Sequence, residues 1–165
     1  MNNFSQQPYK GLTPYEEQDQ DNFFGRTEDI RILVDKIRAR KLTFLFAASG
    51  VGKSSLLQAG VIPVLKQPQH SFYAPLDVIY LRDWVVNPLE TFKQNVLEYF
   101  QRQGRLMPDS LPQGSVVLKD FLNFCTLLSS DPLVIILDQF EEFFYYQRYK
   151  EEFQPFIEQL SLAIH

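Results

Sequence analysis

Leu42-Thr43-Phe44-Leu45-Phe46-Ala47-Ala48-Ser49-Gly50-Val51-Gly52-Lys53-Ser54-Ser55 decides how this chain is read. An apolar run gives way to small residues, two glycines and a Lys-Ser pair. This order predicts a buried strand over about 42–47, then a phosphate-binding loop, then a helix from Lys53. Gly50 and Gly52 permit a tight turn whose N–H groups cradle an anion. The helix start adds unpaired N–H groups and a partial positive charge. Lys53 adds a full charge for the outer phosphates, and the Ser54 hydroxyl suits Mg²⁺. The usual pattern, G-x-x-x-x-G-K-[ST], has Gly where this chain has Ala47, a substitution that fits wherever φ stays negative.

Composition narrows the classes. A chain of 165 residues suffices for one domain burying roughly 70% of its unfolded surface. With 45% hydrophobic residues, disorder is excluded. A net charge of −4 carries no nucleic-acid signature. The basic residues between Arg26 and Lys41 alternate with acids, as on a solvated helix face. The single Cys125 allows no internal disulfide and fits a reducing cytoplasm, with a place in the core. No apolar run is long enough to span a bilayer, and Met1 to Ser5 lack a signal peptide's pattern. His70 and His165 form no metal-ligand cluster.

Outward from the loop, residues 1–22 read as an extended polar arm in which Tyr9, Leu12 and Tyr15 can pack on the domain. The apolar turn Phe23-Phe24-Gly25-Arg26 follows, then a helix capped by Thr27 with Ile30, Leu33, Val34 and Ile37 on one face. The loop helix is expected to run to about Gln58 and to bend or end at Gly60 and Pro63. A polar turn at Gln67 to His70 precedes a strand at Val78-Ile79-Tyr80-Leu81. Asn87-Pro88-Leu89-Glu90 predicts a capped helix start, closed by Gly104. Ser115 is the expected cap of the next helix. Leu133 to Leu137, apolar without alternation, predicts a parallel strand covered on both faces. Gln139 to His165 reads as helical, with a break near Tyr149 and a kink at Pro155.

Asp138 ends that last strand, where open α/β sheets place their ligands. Its carboxylate can hold the Mg²⁺ that Ser54 also contacts. Glu141 and Glu142 follow by one helical turn. Either can orient or deprotonate a water that attacks a γ-phosphate, or simply stabilise a helix N-terminus.

Pro8-Tyr9-Lys10-Gly11-Leu12-Thr13-Pro14-Tyr15, Phe23 to Arg26, the loop with Ser55-Leu56-Leu57-Gln58-Ala59-Gly60, and Asp138-Gln139-Phe140-Glu141-Glu142-Phe143-Phe144 together resemble the novel STAND NTPases. These are signal-transducing P-loop ATPases related to the AAA+ group. The resemblance covers nearly the whole chain. It implies that Ser49, Gly50, Val51, Gly52, Lys53, Ser54 and Ser55 form the Walker A site and that Asp138 is the Walker B metal carboxylate. It also implies that Phe24, Gly25 and Arg26 line the base side, with ATP and Mg²⁺ as ligands.

The expected fold is therefore an α/β, P-loop NTPase core of three α/β/α layers with a parallel sheet. An arm and base-side turn over 1–26 precede a partial NTPase domain over 27–165. In the resembled strand order, 5-1-4-3-2, the sequence supplies three strands, so strands 4 and 5 and the lid are expected to be missing. Strands left without neighbours would then pair with each other or stay exposed. Three functions fit: an ATP-dependent switch, an NTPase completed by oligomerisation or a separately encoded partner, and a non-catalytic remnant or interaction module.

Overall fold

Val78, Ile79 and Leu81 and the run from Leu133 to Leu137 are rich in β-branched and aliphatic residues. Both segments form strands in the computed structural model, which describes residues 11, 13–67, 74–84, 87–105 and 116–164. β1 (Asp77–Leu81) and β2 (Leu133–Leu137) pair in parallel, Asp77 opposite Leu133 and Leu81 opposite Leu137. The Asp138 amide extends the ladder to the Leu81 carbonyl at 2.8 Å. Parallel strands need a long crossover, and α4 (Pro88–Arg102) and α5 (Leu118–Leu128) provide it. α6 (Phe140–Gln147) and α7 (Phe153–Ile164) follow β2.

These elements belong to the second of two compact units, Pro75–His165; the first is Met1–Ala74. The core of the second unit is aromatic. Trp84, Phe100, Phe143 and Phe156 are fully buried, with the Trp84–Phe140 and Phe143–Phe156 rings centred 5.0 Å apart. Each such burial contributes roughly 1.5–3 kcal/mol. Asn87 caps α4 as expected, its Oδ1 accepting the Glu90 amide at 3.2 Å, and Pro88 starts the helix. Cys125 is buried, which pushes its thiol up to about 12.

In the first unit a 3-10 helix, Glu17–Asn22, interrupts the arm that was expected to be extended. Glu16 and Asp19 form a capping box there, with the Glu16 amide 2.8 Å from Asp19 Oδ2. α1 (Thr27–Ala39) buries Leu33 and Val34. Arg26, not Thr27, holds its cap position, without a side-chain capping bond, and its guanidinium pairs with Asp29 in the first turn at 2.6 Å. After the loop come α2 (Lys53–Ser55), a π-helix (Leu56–Val61) and α3 (Ile62–Lys66). The helical run thus continues past Gly60 and Pro63. The run stays right-handed through Val61 and Ile62, and the π turn accommodates Pro63, which has no N–H to donate back into it. Lys66 ties this run to the arm through Glu17, at 2.7 Å.

Three further expectations are corrected. Residues 42–48 are not a buried strand: no β pairing forms there, and Phe44 and Phe46 are 69% and 86% exposed. Among the described residues no strand pairs with this segment. The sheet therefore holds two strands where three were expected. β2 is also less covered than a continuous apolar run implies, since only Ile136 is buried, as befits a strand with one partner. Pro155 makes no kink; it lies in the first turn of α7, while the break near Tyr149 is present. Tyr9, Leu12, His70, Ser115 and His165 lie outside the described residues.

At the N-terminal end of β1, buried Asp77 accepts hydrogen bonds from Tyr99 Oη at 2.6 Å, Arg105 Nη1 at 2.5 Å and Ser129 Oγ. Burial pushes the Asp77 carboxyl up, but these bonds and the Arg105 charge outweigh it and hold it below the usual carboxylate range. Burial, then the contact with Asp77, raises the Tyr99 phenol. The folded-state pKa of Asp77 is lowered, so its stabilisation is complete above the usual carboxylate range. It disappears as pH falls through the lowered value. Asp77→Ala is expected to cost about 3 kcal/mol at pH 7 by urea denaturation, with much of the difference gone near pH 2.

Candidate functional site

The loop in the first unit is built by two backbone positions. Gly50 and Gly52 adopt φ of 79° and 85°, a hand that residues with a Cβ adopt at a cost of roughly 1–2 kcal/mol. A Cβ at either position would meet no protein atom within 4 Å, so backbone hand, not crowding by the protein, selects glycine. The helix begins at once, with the Leu56 amide donating to the Gly52 carbonyl at 2.9 Å. Lys53 folds back over the loop, its Nζ donating to the carbonyls of Ala47 at 2.9 Å and Ala48 at 3.2 Å. Those carbonyls hold the ammonium against the start of the loop, and Ser54, the next residue, is half-buried.

The turn from Phe23 to Arg26 meets this loop within the same unit. Arg26 Nη1 donates to the Val51 carbonyl at 3.3 Å while its Nε holds Asp29. Two segments that the sequence keeps 25 residues apart are thus joined by one side chain. Phe24 is 79% exposed and Gly25, at φ 81°, presents an open backbone next to it. Ser49 and Val51 are exposed on the turn. Ser55 faces the arm instead. Its Oγ accepts the Tyr15 amide at 3.0 Å, and Tyr15 in turn packs on Phe23 with ring centres 5.7 Å apart.

In the second unit Asp138 is buried at the C-terminal end of β2. Tyr80 Oη donates to its Oδ2 at 2.5 Å, and the Trp84 indole donates to its carbonyl at 2.9 Å. Gln147 Nε2 holds the Trp84 carbonyl at 2.5 Å. Gln139 follows in the left-handed region, at φ 52° and ψ 33°, and its side chain accepts from Arg82 Nε. It is the one non-glycine with positive φ among the described residues. That turn lets α6 start immediately, placing Glu141, exposed, and Glu142, half-buried, in its first turn. The Glu142 amide caps back to the Gln139 carbonyl at 2.8 Å.

Tyr80, Arg82 and Trp84 were missed in the sequence. The available signal was Tyr80 itself, the polar member of an apolar strand; in-register pairing sets it opposite Ile136, two residues before Asp138. The Asp138 carboxylate and the Ser54 hydroxyl, in separate units, are each an oxygen donor of the class that Mg²⁺ accepts. Among the described residues no group of three or more His, Cys, Asp or Glu gathers as a protein cage for a metal. No helix among them is long and apolar enough to cross a membrane.

Comparison with known families gives one match: the family described as Novel STAND NTPase 1 matches residues 8–165. No curated protein and no solved structure matches.

The Ser55 contact predicts a separable structural role. Ser55→Ala is expected to lower unfolding stability by about 1 kcal/mol and to speed proteolysis within residues 13–22. Unchanged melting and cleavage would show that the Tyr15 anchor contributes nothing.

Proposed function

The chain belongs to the novel STAND NTPase 1 family, and from that premise we propose that it binds Mg-ATP as a nucleotide-dependent switch with slow hydrolysis of its own. The observation that carries this reading is the loop: two left-handed glycines closed by Lys53 on the carbonyls of Ala47 and Ala48. A phosphate is a stronger partner for an ammonium than a pair of neutral carbonyls. Lys53 therefore exchanges its internal contacts for the β- and γ-phosphates, and the amides from Ser49 to Ser54 receive the rest of the anion. Arg26 ties Phe24 and Gly25 to the same loop, which supports their reading as the base side.

Ser54 and Asp138 are the proposed ligands of Mg²⁺, which when bound neutralises charge on the phosphates. Asp138 suits that role because its carboxylate is buried and oriented by a hydrogen bond before any ligand arrives. Glu141 and Glu142, at the start of α6, are the proposed groups that orient or accept a proton from water. An activating arginine comes from a second copy or a partner domain, as in-trans activation requires. The proposed setting is cytoplasmic signalling.

One observation favours a second reading, an interaction module with little turnover: the extended segment 42–46 leaves Phe44 and Phe46 exposed and stacked, 5.8 Å between ring centres. Calorimetric titration with ATP and Mg²⁺, followed by phosphate release, separates the two. Binding with slow or absent release supports the switch; absence of binding supports the module. Lys53→Ala is expected to weaken Mg-ATP binding by at least about tenfold, the loss of one or two charge-assisted bonds. Unchanged affinity would remove the loop from the site. Glu141→Gln or Glu142→Gln is expected to spare binding while lowering turnover by about 100-fold at whichever position serves the water. Equal loss of binding and turnover in both would make these acids structural.

A further inference from the structure

We infer that Arg26 acts on the phosphate loop and not on the base, by setting the plane of the Val51–Gly52 peptide, and that Asp29 is the positioning residue that aims it. The inference rests on the reading of residues 49–54 as a phosphate loop. Gly52 has a φ of 85°. Rotation of a peptide plane is coupled to φ of the residue after it, and glycine accepts either sign of φ at little cost. The backbone alone therefore does not decide which way this plane faces. Its orientation matters because the peptide is trans, so that carbonyl and N–H lie on opposite sides of one rigid plane. Whatever holds the Val51 carbonyl also directs the Gly52 amide, one of the donors proposed to receive the anion.

Arg26 Nη1 donates to that carbonyl at 3.3 Å, from a residue 25 positions earlier in the chain. The arginine is itself fixed at two points. Its backbone carbonyl accepts the first helical bond of α1, from the Ile30 amide at 3.0 Å. Its Nε is held by Asp29 Oδ2 at 2.6 Å. A guanidinium is a rigid planar fork, so fixing Nε leaves Nη1 little freedom. The Gly52 N–H faces away from Arg26 as a result. Glu28, in the same first turn of α1, pairs instead with Arg31 at 2.7 Å.

The test is calorimetric titration of the full chain, in EDTA, with ATP and with inorganic triphosphate, which carries the phosphates without a base. Arg26→Ala is expected to weaken both ligands equally, by about fivefold, the value of one hydrogen bond. Asp29→Ala leaves the arginine in place and removes a negative charge. By charge alone it would tighten anion binding. As the loss of a positioning residue it is expected to weaken both ligands by about threefold. Added to Arg26→Ala it is expected to cost nothing further, because both changes act through one contact. Glu28→Ala, which removes an acid from the same helical turn, is expected to leave both affinities unchanged. Weakening of ATP alone by Arg26→Ala would make Arg26 a base contact and overturn the inference. So would tighter triphosphate binding by Asp29→Ala, or an equal loss from Glu28→Ala. Should Arg26→Ala fold poorly, the sign of the Asp29→Ala effect decides by itself. A wild-type chain that binds neither ligand would overturn the phosphate-loop reading and this inference together. Binding that Arg26→Ala and Asp29→Ala both leave intact would overturn this inference alone.

Discussion

The parallel ladder between β1 and β2 is the constraint on which the second unit depends. It sets Leu81 opposite Leu137, and one further bond places Asp138 at the carboxyl end of the sheet, where a buried acid is tolerable only with partners. Tyr80 becomes such a partner because the register puts its strand alongside, and Trp84, beyond the strand, holds the Asp138 backbone carbonyl. The same ladder fixes the far end, where Asp77 gathers Tyr99, Arg105 and Ser129. Two buried carboxylates thus mark the two ends of one short sheet. One takes three donors including a guanidinium, whereas the other takes the Tyr80 hydroxyl, with the Trp84 indole on the Asp138 backbone carbonyl, and sits before a helix start.

Much of this was legible in the residues. Asn87-Pro88 announces α4 because its cap chemistry is local, and the run from Leu133 to Leu137 announces a strand because an unalternating apolar segment needs neighbours. The two glycines before Lys53 foretell left-handed backbone, which the structure has at both. Membership of the novel STAND NTPase 1 family, read from the combined motifs, is met by the family match over residues 8–165.

What could not be read locally is set by tertiary partners. Leu42 to Phe46 has the composition of a buried strand, yet burial and pairing belong to neighbours and not to the segment, and here it is extended and exposed. The helix after the loop passes Gly60 and Pro63 because a π turn changes the register, something no propensity predicts. Gly60 itself is held by contact: a Cβ there would come within 2.8 Å of the Ile30 side chain. The contact of the Ser55 hydroxyl with the Tyr15 amide spans 40 positions and has no local signal in the sequence. The Tyr80–Asp138 bond joins positions 58 residues apart and depends on strand register, which a sequence pattern leaves open.

The proposed function requires phosphate to be received by the loop amides and metal by Asp138. The most direct measurement is the set of backbone amide NMR shifts on adding ATP, first in EDTA and then with Mg²⁺. The predicted result is movement of Gly50, Gly52, Lys53 and Ser54 with ATP alone, joined by Asp138 and Gln139 only when Mg²⁺ is added. Shifts confined to other surfaces, such as exposed Tyr145 and Tyr149, or no shifts at all, would contradict it.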